Sequence, residues 1–157
     1  MEHVRTATEG DAERLAELTA AFHDATLERR GGAHTRPGDV GGHPLEAARL
    51  VVAGYVGTPG RHALVGTLDG WTAGAALCRV DDTADDRRGV LDVCFVEPGA
   101  RGVGLGQLLL ERSLEWFRAE ECTGVDGRAF PGDREAKQFF ESAGFKARLL
   151  VMYLPLE

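Results

Sequence analysis

The chain has 157 residues, 43% of them hydrophobic and 27% charged, which is one domain of ordinary globular composition with enough apolar material to bury a core. The formal net charge is −7 and Lys and Arg are nowhere concentrated, so nucleic acid is a poor partner; acidity serves solubility first and suits a cationic amine second. Cys78, Cys94 and Cys122 lack the spacing of a disulfide framework or a zinc site, and neither an apolar leader nor a membrane-length apolar run occurs, so a cytoplasmic protein without metal or membrane partner is expected.

Val4 to Thr6 reads as a short strand. Thr8, with Asp11 three residues on, starts a helix whose apolar stripe is Leu15, Leu18, Phe22 and Ala25. Arg30 to His43 is glycine-rich and aperiodic, hence a loop, and Pro44 opens a second helix carrying Leu45, Ala48, Val52 and Tyr55. Strands over Ala63–Leu68 and Thr72–Val80 meet at Asp69-Gly70, a hairpin signal. The acidic loop Asp81 to Asp86 precedes a strand from Val90 to Val96, and Glu97-Pro98-Gly99 stops it. It has no calcium-loop pattern. A helix follows from about Gly104 to Ala119, burying Leu109, Leu110, Leu114 and Phe117, then a strand from Gly124 to Phe130. Asp133 caps a helix with Ala136, Phe139, Phe140 and Ala143 inward, Gly144 closes it, and Phe145 to Leu156 is a last strand. The order β-α-α-β-β-β-α-β-α-β gives a mixed α/β single domain over residues 1–157.

The chemistry concentrates where the strand ending Cys94-Phe95-Val96 runs through a glycine-rich turn, Arg101-Gly102-Val103-Gly104-Leu105-Gly106-Gln107, into an amphipathic helix. Alternate glycines bare the backbone, so N–H groups can converge on an anion at the positive end of the helix. That is a pyrophosphate cradle on physical grounds. A Rossmann fingerprint would need its third glycine at Gln107, and a P-loop needs Gly-Lys-Ser/Thr at the helix start; the chain supplies neither.

Here the chain resembles a family. Arg101-x-x-Gly104-x-Gly106 is similar to the Q/R-x-x-G-x-G/A motif of the GNAT superfamily of acyl-CoA-dependent N-acyltransferases, and Cys94 to Pro98 resembles the hydrophobic strand before it. Ala136 to Phe145 looks like that family's A-x-x-F-Y-E-x-x-G-F segment, and Thr6 to Ala12 its usual opening. The resemblance implies a central, mostly antiparallel sheet with one splayed parallel strand pair and helices on both faces. It implies acetyl-CoA, or another acyl-CoA, as co-substrate: the pyrophosphate on the amides from Gly102 to Gln107, the pantetheine along Cys94, Phe95 and Val96. The acyl group then lies in the gap between splayed strands, its carbonyl polarised by a backbone N–H.

An amine acceptor must lose a proton to attack, so a base is needed. Asp92 is the first choice, two residues from Cys94 and so expected on the same face, at a place the resemblance associates with that role. His34 and His43, on the loop bordering the acceptor site in that family, come next. Two departures stand out. Asp133 replaces the family's usual Asn, and Phe140 replaces the tyrosine credited with protonating the departing thiolate, with Tyr153 a distant substitute. The expectation is transfer of an acyl group, acetyl first, to an amine on a small molecule or protein. The alternatives are a catalytically silent acyl-CoA-binding regulatory module and a nucleotide-binding α/β domain. The chain fixes neither acceptor nor oligomeric state; a homodimer is the commonest assembly.

Overall fold

The computed structural model describes residues 1–29 and 32–156; Arg30 and Gly31, which open the expected loop, and Glu157 lie outside the described residues. The elements are β1 (Glu2–Thr6), α1 (Ala12–Leu27), α2 (Leu45–Ala53), β2 (Arg61–Leu68), β3 (Trp71–Asp82), β4 (Arg87–Val96), α3 (Leu105–Ala119), β5 (Gly124–Gly127) and α4 (Arg134–Ser142). They form one sheet in the order β1-β2-β3-β4-β5, antiparallel except for the parallel pair β4–β5. The expected mixed α/β architecture is present, and its physical causes are local. Asp69 and Gly70 take φ of 50° and 84°, the positive values a two-residue hairpin between β2 and β3 requires. Thr8 N–H donates to Asp11 Oδ2 at 2.8 Å, turning the chain into α1, and Asp133 Oδ1 accepts from Ala136 N–H at 3.1 Å to start α4.

Strand alternation divides the interior into two layers. Ala63, Val65, Ala75, Leu77, Val93 and Phe95 face α1 and α2 and pack with Leu15, Leu18 and Val52. Leu64, Ala76, Cys78, Leu91 and Val96 face α3 and pack with Leu105, Leu109, Leu110 and Phe117, while Phe139 and Phe140 of α4 lean on the same layer. Helices therefore cover both faces of the sheet.

The alternation breaks at two places: Gly66 pairs with Gly74 and Thr67 with Thr72, skipping Ala73, and the second break lies between β3 and β4. Leu77 pairs with Val93 and Cys78 with Leu91, so the register skips Asp92, the extra residue of a β-bulge. The bulge corrects the expectation that Asp92 shares a face with Cys94. Asp92 turns towards Tyr55 of the α1/α2 layer, whereas Cys94 packs on the opposite layer.

Two further expectations change. β5 spans four residues rather than seven, because its ladder with β4 runs only from Arg88–Gly124 to Leu91–Gly127. Phe145 to Leu156 makes no strand: Leu149, Leu150, Val151, Met152, Tyr153, Leu154 and Leu156 are 61–87% exposed. Their apolar, β-branched and aromatic character suits a strand, but propensity without a paired edge does not make a ladder. None of the described helices is long and apolar enough to cross a membrane.

Candidate functional site

Beyond Leu91 and Gly127 the two parallel strands part, and β4 runs on through Val96 without β5 beside it. A cleft of about 730 Å³ occupies the split, within the range of small-molecule sites. One wall is Asp92, Cys94, Phe95 and Val96; the other is Arg128, Ala129 and Phe130. Its mouth is the turn from Arg101 to Gln107, and α4 closes it with Phe139 and Phe140. The structure thus gathers nearly every residue singled out for acyl-CoA, including Gly102, Gly104, Leu105 and Gly106, around one cavity. Neither histidine candidate lines the cleft: His43 is half-buried on the loop before α2, and His34 is exposed and stacked on Tyr153 with ring centroids 4.6 Å apart.

The turn has the geometry of an anion cradle. Gly102 and Gly104 take φ of +86° and +87°, conformations that a side chain would strain, and no atom lies within 4 Å of where their Cβ would stand. Val103 between them is 46% exposed. Leu108 N–H is the donor to Gly104 O, at 3.0 Å, so the amides of Leu105, Gly106 and Gln107 before it are the unpaired first-turn donors of α3. Arg101 folds back: its Nε donates to Val96 O at 2.8 Å and its guanidinium lies 5.5 Å from the Phe95 ring centroid. It braces the turn against the end of β4. A phosphate-bearing ligand fits this donor set, with open space above two glycines and a helix end free of side chains.

Deeper in the cleft, Asp92 is buried at 8% exposure and its carboxylate accepts from three donors: Tyr55 OH, Arg79 Nε at 2.8 Å, and an Arg128 terminal nitrogen. The other Arg128 terminal nitrogen donates to Gly38 O at 2.9 Å, tying the loop before α2 to the segment that follows β5. That loop approaches β4 very closely. A Cβ on Gly41, whose φ is +91°, would stand 1.5 Å from Asp92 O, and one on Gly42 would stand 2.8 Å from His23 Cα. Only glycine lets the two backbones meet.

These surroundings set the titrating groups. Burial raises the Tyr55 hydroxyl, and the Asp92 carboxylate beside it adds to the effect, so it stays a donor. Burial likewise pushes the Cys94 thiol up to about 12, which removes it as a thiolate nucleophile at neutral pH. His43 is half-buried; desolvation and the nearby His23 lower its pKa, so its imidazole is neutral at pH 7.

Asp92, expected as the base, has its carboxylate engaged by two arginines and a phenol. Tyr55, Arg79 and Arg128 were not foreseen as site residues. A carboxylate inside the apolar run Val90–Val96 and an arginine ending the apolar run Ala73–Cys78 were the available signal, since buried charges come paired.

A family model described as "Acetyltransferase (GNAT) family" matches residues 20–145. Among solved structures, a tetramutant of the BH1408 protein from Bacillus halodurans superposes with a TM-score of 0.80 at 19% identity, over 98% of this chain and 99% of its own. AAC(6')-Iy, in complex with the bisubstrate analog CoA-S-monomethyl-acetylneamine, superposes at 0.74 and 15% identity over 100% and 99%. A ribosomal-protein-alanine N-acetyltransferase from Brucella melitensis biovar Abortus 2308 gives 0.68 and 14%, over all of both chains. No curated protein matches the sequence closely enough to count as a relative.

Proposed function

Because the chain belongs to the GNAT acetyltransferase family, we propose that it transfers an acyl group, acetyl first, from acyl-CoA to an amine of a small molecule or a protein. One observation carries the reading: the glycine turn, the free first-turn amides of α3 and the split between β4 and β5 open into a single cleft. The CoA-bearing analog held by AAC(6')-Iy on the same fold supports acyl-CoA as the co-substrate.

Bound acyl-CoA supplies an activated thioester; the chain's residues bind, orient and move a proton. The amides from Gly102 to Gln107 hold the pyrophosphate. On its β5 side the stretch Cys94–Val96 of β4 has no strand partner and offers backbone donors and acceptors along the pantetheine, and a backbone N–H there stabilises charge on the thioester oxygen. Phe140 packs beside the thioester end and, having no hydroxyl, leaves protonation of the departing thiolate to water. Asp92 is a positioning residue, holding Tyr55, Arg79 and Arg128 around the acyl end of the cleft. His43, neutral at pH 7, does not line the cleft but sits on the loop whose Gly41 meets Asp92, and we assign to it, through water, the proton from the amine.

The test uses acetyl-CoA in a melting experiment and an amine panel in a thiol-release assay. Gly106 is the position to perturb: its φ is not positive, and its Cβ would meet only Phe139 and Val96 at ordinary distances of 3.6 and 3.7 Å. Gly106→Val should fold and lose the thermal shift that acetyl-CoA gives the wild type. A folded variant that keeps the full shift sinks the cradle. His43→Gln should lower turnover by roughly a hundredfold or more while acetyl-CoA still binds. Phe140 favours a second reading, a regulatory module that binds acyl-CoA without turning it over. A wild type with a thermal shift but no thiol release from any amine decides for that reading.

A further inference from the structure

Leu91 and Gly127 are the last paired residues of β4 and β5, so Asp92 and Arg128 are the first beyond the fork where the strands part. An ion pair joins them there, and both line the cleft. The protein uses the two partners unequally. Both Asp92 oxygens are engaged, Oδ1 by Arg128 and Oδ2 by Tyr55 OH and Arg79 Nε. A guanidinium carries five N–H donors. Among the described residues those of Arg128 meet acceptors only at Asp92 and Gly38 O, both through terminal nitrogens. Arg128 Nε is buried and has no acceptor there, a state that folded proteins rarely keep without a functional cause.

Charge at the fork is unbalanced in the same direction. One carboxylate faces two guanidiniums, and Tyr55, a protonated phenol, adds no charge. Arg79 stands outside the cleft, where the exposed Asp81 also bears on it. It already serves as a counter-ion to Asp92, so Arg128 is surplus to that task. The excess positive charge therefore faces the cleft through Arg128, whose side chain keeps 33% exposure, in a chain whose net charge is −7. Val40, Leu91 and Phe140 line the cleft with it, and apolar walls strengthen the attraction of a cation for an anion. The other carboxylates lining the cleft among the described residues are Asp133 and Glu135, at the start of α4. Each lies 3.9 Å from Arg29, and Glu135 lies 3.9 Å from Arg101 at the mouth. The fork thus has no free carboxylate to seat an ammonium group and a cation with donors to spare.

We propose that the fork is a carboxylate subsite, in which Arg128 receives a carboxylate carried by one of the two reactants. The source is either the far end of a dicarboxylic acyl group on CoA or the α-carboxylate of an amino acid bound as the amine. The proposal rests on the cleft being that of an acyl-CoA-dependent transferase, and it adds a substrate class to that reading. Arginine suits the task because its planar donors match a carboxylate, which a lysine ammonium does not. The contacts to Asp92 and Gly38, 36 and 90 residues away in the chain, hold the group in place before a ligand arrives, which lowers the cost of binding.

Titration calorimetry tests the subsite by binding alone, so it reads equally in a protein that turns nothing over. A wild type that binds no acetyl-CoA refutes the acyl-CoA reading, and the subsite falls with it. Where acetyl-CoA binds, one arm compares succinyl-CoA with butyryl-CoA, which differ in the terminal carboxylate. The other titrates the CoA-saturated protein with glycine, leucine and glutamate and with their α-amides. In one arm the carboxylate form should bind roughly tenfold more tightly or better, and that arm identifies the source. Arg128→Met should bring the ratio to about one, and Arg128→Lys, which keeps the charge, should retain part of it. A wild-type ratio near one in both arms overturns the proposal. So does a preference that survives in Arg128→Met with an unchanged circular dichroism spectrum. Should neither variant fold, a crystal structure of the wild type with the preferred ligand decides. A ligand carboxylate within hydrogen-bonding distance of Arg128 supports the subsite, and one seated elsewhere overturns it.

Discussion

Replacing Asp92 by Asn keeps the side chain's size and removes the one anion around which Tyr55, Arg79 and Arg128 are arranged. The amide offers a single acceptor oxygen where the carboxylate served three donors, and its NH2 must face a guanidinium. Breaking a buried ion pair costs about 3–5 kcal/mol, chiefly because the surviving charge is left uncompensated. Here the Arg79 and Arg128 side chains keep 30% and 33% exposure, so both can turn partly to water, and about 2–3 kcal/mol is expected. In a domain of this size that is a fall in Tm of roughly 5–10 °C.

Urea unfolding followed by circular dichroism measures the loss, with an unchanged m-value as the sign of a local defect. The same variant separates two roles for Asp92. As a positioning residue it lowers kcat/KM while the acid limb of the pH–rate profile, set by His43 below its ordinary 6.5, stays in place. A variant destabilised by less than about 0.5 kcal/mol would refute the three-donor account. An acid limb that moves in Asp92→Asn would return the proton-accepting role to Asp92.

Phe140 lies across β5, so close that a Cβ on Gly127 would stand 2.5 Å from Phe140 Cε1, while the ring also lines the cleft. Phe140→Tyr should therefore cost under ~1 kcal/mol in urea unfolding and hold or raise the thiol-release rate; a loss of ~2 kcal/mol or more means that the added hydroxyl is buried without a partner. At the entrance to α1, the Arg5 guanidinium, 2.7 and 2.9 Å from the Asp11 oxygens, holds that carboxyl down at about 2. The folded value lies below the unfolded one, so this stabilisation is present above about pH 3.8 and fades as pH falls through about 2. Arg5→Met should raise the Asp11 pKa towards 3.8 in a carboxyl NMR titration, with under ~1 kcal/mol lost at pH 6 because the pair is exposed.

Periodicity and punctuation made most of the fold legible. Leu15, Leu18 and Phe22 placed α1, Asp69-Gly70 the hairpin, and Asp133 and Gly144 the two ends of α4. The cradle was legible for a related reason: glycine at Gly102 and Gly104 is a backbone statement, and the backbone there does adopt positive φ. Side-chain direction after a bulge was not. The residue skipped in pairing Leu77–Val93 and Cys78–Leu91 depends on how β3 and β4 slide together, which alternation within β4 alone does not encode. Arg128 was hidden similarly, because its partners, Asp92 and Gly38, lie 36 and 90 residues away in the chain. The segment after Phe145 was read for propensity, whereas its pairing depends on an edge that propensity does not contain.

The two-layer core has a consequence for how such a chain can change. The sheet is a partition: residues facing α1 and α2 never enter the packing around α3, although the two sets alternate along the same strands. The α1/α2 layer carries the loop beside Asp92, and the other layer carries the helix whose first turn forms the cradle. Substitutions that repack Leu18 or Val52 can therefore reshape one side of the cleft while Leu105 and Leu109 hold the other in register, with independent energetic costs. A scaffold divided this way can exchange one reactant for another by drift on one face, keeping the second reactant's seat unaltered on the far side of the sheet.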